Sequence, residues 1–214
     1  MSGQDIRETY LEAGEYFGCV VDQVDIDGWD ESALGEWCVR DLTGDTYLAF
    51  TTILSYSDKP AEKIELERPV DYFIKAFESL ADPKIVAERG RAAGLEIIDD
   101  PKMMVRGFAM YVKNKLEELS DDHIMGTPVG GIRLIDYLPT RTFELIIHTM
   151  DLAKAVGVDA SPPDRGMETT LGILGQMALY RGNAPSLVLA ATGRGSLPDG
   201  FTVLGLSPIH LSDP

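Results

Sequence analysis

The stretch that most constrains this chain is DYLPTRTFELIIHTMDLAKAVGVD, residues 136 to 159. Phe143, Leu145, Ile146, Ile147, Met150, Leu152, Ala153 and Val156 cover almost every side of the helix it predicts. A helix that apolar is stable only when other elements enclose it. Its start and stop are written locally. Asp136 can cap it, Pro139 is tolerated where the first-turn amides lack partners anyway, and Gly157 ends it. What does not suit enclosure is the polar line of Arg141, Glu144, His148 and Asp151. Isolated buried charges are too costly, so these four must pair with one another or line a cavity.

The rest of the chain supplies enclosing helices. Ile6, Tyr10, Ala13, Phe17, Val20, Val21 and Val24 recur at helical spacing over residues 4 to 25. GWDESALGE is a polar link, and Val39, Leu42, Thr46, Ala49 and Ile53 mark a second helix over 37 to 56. SYSDKPAEKIELERP is a charged connector. Residues 70 to 94 read as a helix interrupted near Asp82-Pro83, since proline disfavours a helical residue before it. Pro101 behind two aspartates opens a helix over 101 to 119. SDDHIMGTPVGGIRLIDY predicts loop with one or two short strands, and residues 164 to 181 a glycine-containing helix. The tail changes character: SLVLAATG and GFTVLGL, separated by a glycine-rich turn, suggest a small C-terminal hairpin. The expectation is a mainly α fold, a helical bundle over 1–182 with a short β tail at 183–214 packed on it as one domain.

Thirty-five acidic residues against 19 basic ones give a net charge of −16. That balance argues against nucleic acid or an anionic membrane as partner, because phosphates need Lys and Arg to neutralise them. No apolar run approaches the ~20 residues that span a bilayer. MSGQDIRETY lacks a charged-then-apolar signal pattern, and Cys19 and Cys38 lack any paired spacing. A reducing, cytoplasmic setting is expected, with both cysteines acting as small core hydrophobes.

Glu144 and His148 lie four apart, which places their Cβ atoms ~6 Å apart on one helix face. Such a pair can close on one metal ion. The plain alternative is a set of intrahelical ion pairs, Arg141 with Glu144 and Asp151 with His148.

TRTFELIIHTMDLAKAVG resembles the metal-binding helix of the mycothiol-dependent maleylpyruvate isomerase family, within the DinB-like four-helix bundles. GEWCVRDLTGDTYLAF resembles that family's second-helix segment, and ATGRGSLPDGF its late strand and turn. The resemblance implies a metal, zinc foremost, held by a histidine of the second helix with the glutamate and histidine of the later one. Glu144 and His148 match those positions, whereas Asp45 stands where the family pattern has histidine. Three outcomes are open. Asp45 serves as an oxygen ligand, giving a harder set that also suits Mn, Mg or Fe. Alternatively Asp45 pairs with His148 and the metal is lost, or His123 replaces the missing ligand. His123, in a polar loop, and His210, four residues from the end, read as surface residues.

The activity that the resemblance implies is thiol activation: a cytoplasmic metal-dependent transferase or isomerase joining a small-molecule thiol such as mycothiol to an electrophile. A dicarboxylate substrate needs cations, for which Arg40 and Arg141 are the candidate binders, with Arg133 and Arg194 behind them. Only about thirty residues follow the last predicted helix, too few for the family's larger C-terminal domain, so maleylpyruvate itself is not expected. The competing expectation is a non-catalytic bundle that binds a small ligand and has lost the metal through Asp45. A third is a homodimeric interaction module.

Overall fold

The computed structural model describes residues 1–79, 83–97 and 100–204. Among them lie, in order, α1 (Gly3–Val21), β1 (Ser32–Leu34), β2 (Trp37–Cys38), α2 (Val39–Ser57), α3 (Pro69–Ser79), α4 (Pro83–Glu96), α5 (Pro101–Glu118), β3 (Ile124–Thr127), β4 (Gly130–Arg133), α6 (Leu134–Ala155), α7 (Asp164–Arg181) and α8 (Ala184–Ala191). The fold is mainly α, with two small antiparallel strand pairs, β1–β2 and β3–β4.

The all-round apolar helix is α6, and it is enclosed as its sequence requires. Helices α1 and α2 both pack on α6, and both also pack on α5, which closes a ring of four. Helix α4 lies against α2, while α3 and α7 lie against α6. The core between them holds Tyr10 and Phe17 of α1, Phe50 and Ile53 of α2, Val105 and Val112 of α5, and Leu138, Leu145 and Leu152 of α6, all buried. Each such side chain contributes about 1.5–3 kcal/mol on leaving water. A second cluster, Phe73, Phe143, Ile173 and Met177, ties α3 and α7 to the outer side of α6.

Close approach of α4 to α2 is built from missing side chains. A Cβ on Gly44 would collide with the backbone of Ala93 and Gly94. One on Gly90 would come within 2.5 Å of the Trp37 indole, whose Nε1 donates to the Ala87 carbonyl at 3.1 Å. Helix α4 therefore crosses α2 with backbone nearly in contact, one residue before Asp45.

Several expectations are corrected. The tail segment SLVLAA is helical, not a strand: α8 runs through it, with Leu187 donating to Asn183 and Thr192 to Val188. A short apolar run carries no decisive period, and Pro185 in the first turn suits a helix start. Among the described residues, 183–204 contains no strand, so the β tail is replaced by a helix and an irregular segment whose Val203 packs on the second cluster. The rest of the predicted hairpin and His210 lie outside the described residues. A hairpin forms at β3–β4, where Gly126 and Gly131 let the 59–66 connector hydrogen-bond alongside. The GWDESALGE link is not wholly irregular, since it holds β1, which pairs with β2. Cys19 is exposed, because Phe17, Val20 and Val21 take the inner face of α1. Cys38 is half-buried, and both thiols are free. Among the described residues, no helix is long and apolar enough to cross a membrane.

Candidate functional site: an ionic cluster on the central helix

On α6, Leu145, Ile146, Thr149, Leu152 and Ala153 are buried, whereas Glu144, His148 and Asp151 form a half-buried line at helical spacing. Asp45 faces this line from α2. It sits among Leu42, Thr46 and Ala49 on the buried side of that helix, and its side chain is only 5% exposed. A carboxylate so enclosed needs a counter-charge.

Two are in reach. His148 Nε2 lies 3.6 Å from Asp45 Oδ2 and 3.1 Å from Glu144 Oε2, so carboxylates from two helices meet at one ring nitrogen. Asp151 Oδ2 lies 4.0 Å from Nδ1 on the other side of the ring. The second partner is Arg89 of α4, whose Nη2 donates to Asp45 Oδ1 at 3.1 Å. Arg89 itself is 58% exposed and forms the rim of the cluster with Glu144 and Asp151. One turn back along α6, Arg141 is buried, its guanidinium carbon 4.8 Å from the Tyr137 ring centre and 5.2 Å from that of Tyr72. Its Nη2 lies 4.0 Å from Glu144 Oε1, linking the two regions.

Protonation follows from this geometry. Burial opposes charge on Glu144, but the hydrogen bond with His148 and the charges of Arg141, His148 and Arg89 outweigh it and hold its carboxyl down at about 2. Burial likewise opposes the imidazolium, yet the bond to Glu144 and the charges of Asp45, Glu144 and Asp151 lift His148 to about 9. Burial raises the Asp151 carboxyl above its usual range, partly offset by His148 and Lys154. At neutral pH, three carboxylates (Asp45, Glu144, Asp151) face three cations (Arg89, Arg141, His148).

That balance bears on the expected metal. Each ligand lies ~2.0–2.2 Å from a small divalent ion, so neighbouring ligand atoms stand roughly 3–3.5 Å apart. The His148–Glu144 distance meets this, and the His148–Asp45 distance slightly exceeds it. Arg89, however, already occupies Asp45. Among the described residues, no group of three or more His, Cys, Asp and Glu side chains is arranged to hold a metal ion. As placed, the residues do not fit one.

Of the other candidates, none joins the cluster except Arg141. Arg40 pairs with Asp30 at 3.3 Å and lies over the Trp29 ring. Arg133 pairs with Asp136 and Asp122, and Arg194 donates to the Thr192 carbonyl. His123 is not on the surface: it is half-buried, with Nε2 3.0 Å from the Ser57 carbonyl oxygen. The residue that sequence reasoning missed is Arg89. The available signal was the Gly90/Gly94 spacing on α4, which marks a face built for close helix contact. No family model matches this chain, and no curated protein or solved structure matches it either, so the family likeness rests on the motifs alone.

Proposed function

We propose that this chain is a small-ligand-binding helical bundle in which Asp45, with Arg89 as counter-ion, stands where a metal-ligating side chain would serve a catalyst. The observation that carries this reading is the Asp45–Arg89 pair inside a charge-balanced cluster. Such a cluster balances its charge without an ion, although His148 Nδ1 is buried with no hydrogen-bond partner among the described residues. Its rim offers a ligand the exposed guanidinium of Arg89 and the carboxylates of Glu144 and Asp151. Small polar molecules that carry both an acceptor and a donor group suit it, because they leave the balance of charge intact. A place in the cytoplasm is supported by the two free thiols, one exposed.

A second reading, a metal-dependent thiol transferase or isomerase, is favoured by one feature. Two carboxylates face Nε2 of His148 while a third lies 4.0 Å from Nδ1, on the side where an orienting carboxylate stands behind a metal-bound histidine. In that reading a bound ion would stabilise a thiolate at neutral pH. Elemental analysis of protein purified without chelator or nickel affinity decides between them. Metal well below one ion per chain is expected. Near-stoichiometric zinc or manganese would overturn the ligand-binding reading and support the catalytic one.

A further inference from the structure

The position of Arg89 carries a sharper statement about the same cluster, one that rests on the metal-free reading. Asp45 is almost wholly buried and has two cationic neighbours, Arg89 on Oδ1 and His148 near Oδ2. The guanidinium comes from α4, whose seat on α2 is fixed by other contacts: the Gly44 and Gly94 backbones, Gly90 against the Trp37 ring, and the Trp37 bond to Ala87. Removing the guanidinium therefore leaves the helix in place. Because Arg89 is more exposed than buried, its loss opens no core cavity.

The charges then decide what can enter. With Arg89 neutralised and His148 deprotonated by an incoming ion, Asp45, Glu144 and Asp151 against Arg141 leave two negative charges. That matches one divalent cation. With Arg89 present, the same ion would leave the cluster one charge positive. We propose that Arg89 excludes divalent metal from the Asp45–Glu144–His148 cluster, guanidinium and metal being alternative partners of the Asp45 carboxylate. The donor set, two carboxylates and one imidazole, suits Mn2+ and Zn2+.

The test is titration of Mn2+ and Zn2+ into the full chain by calorimetry, comparing unaltered protein with Arg89→Gln and Arg89→Lys. A neighbouring charge shifts such equilibria by about one to two powers of ten. Arg89→Gln should bind one ion per chain about 10- to 100-fold more tightly than the unaltered protein, and should gain melting temperature with the ion. Arg89→Lys, keeping the charge, should stay near the unaltered value. Adding Asp45→Asn to Arg89→Gln should abolish the gain. If Arg89→Gln does not melt cooperatively, Arg89→Met keeps the apolar stem and takes its place. Equal affinity in folded Arg89→Gln and unaltered protein would overturn the proposal, as would a gain that survives Asp45→Asn. Tight metal in the unaltered protein would remove the metal-free reading, whereas the exclusion by Arg89 is judged on the ratio between the two proteins.

Discussion

Two arginines approach the same ionic cluster, Arg141 at Glu144 of α6 and Arg89 at Asp45 of α2, and they do so by opposite means. Arg141 is buried, held between the Tyr72 and Tyr137 rings and within 4.0 Å of Glu144. Arg89 stands mostly in solvent and reaches inward with one nitrogen to a buried carboxylate. Between the Glu144 carboxylate and two ring faces, Arg141 has no exit to solvent, so its charge is part of the core. Arg89 has water on one side and can exchange partners. A buried cation that is ringed and paired marks the structural end of a polar cluster, and an exposed cation on a buried anion marks the end where a ligand can intervene.

The largest effect is expected at Arg141. Replacing it with leucine leaves Glu144 with His148 as its remaining contacting cation and removes two cation–π contacts. Two desolvated cation–π contacts at about 1–2 kcal/mol each, with the weakened ion pair, together cost about 3–5 kcal/mol. Urea unfolding of Arg141→Leu should show that loss, roughly ten degrees of Tm in a chain this size. Arg89→Gln should cost about 1–2 kcal/mol, because His148 still serves Asp45. Equal losses at the two sites would erase the distinction drawn between them.

The next effect is that of pH. The folded pKa of His148, about 9, lies above its ordinary 6.5. Its contribution is therefore fully present below pH 6.5 and is lost as pH rises through 9. Glu144, held at about 2 against an ordinary 4.5, contributes above pH 4.5 and loses that contribution as pH falls towards 2. Unfolding free energy should fall by about 2–3 kcal/mol between pH 6.5 and 9.5, and His148→Gln should flatten most of that slope. An imidazole that titrates near 6.5 in the folded protein would show that the carboxylates do not hold it.

How much of this was legible depended on sequence distance. The α6 line could be read because Glu144, His148 and Asp151 lie within two helical turns, where spacing fixes which side chains meet. Helix boundaries at Pro101, Gly157 and Asp164 followed from proline, glycine and caps. Asp45 came into view through the motif likeness, and its inward position is set by Leu42 and Ala49, its buried neighbours on α2. Arg89 lies 44 residues from Asp45 on a helix with a weak apolar pattern, and no local rule connects the two. In the tail, a run as short as SLVLAA satisfies either period, so spacing alone does not separate helix from strand there.

If glycine contact is what places Arg89 over Asp45, then Gly44→Ala should disturb both stability and pairing. The added methyl meets the Ala93–Gly94 backbone, which cannot rotate away, so α4 must shift. Overpacking of this kind costs about 1–3 kcal/mol. In Gly44→Ala the Arg89–Asp45 bond should lengthen, which a crystal structure of the variant would show. An unmoved α4 would place the origin of the pair elsewhere.

Arg40→Ala, the smallest effect, separates the sequence candidate from the structural one. Arg40 pairs with an exposed Asp30 and lies over Trp29, on the β1 side of α2 rather than at the α6 line. An ion pair with one exposed member contributes about 0–1 kcal/mol. The variant should lose no more than about 1 kcal/mol and leave His148 titrating near 9, because Arg40 is not among the charges that set that value. A shift of the His148 titration in Arg40→Ala would mean that the cluster extends along α2 to its first turn, and that Arg89 shares its role with a second arginine.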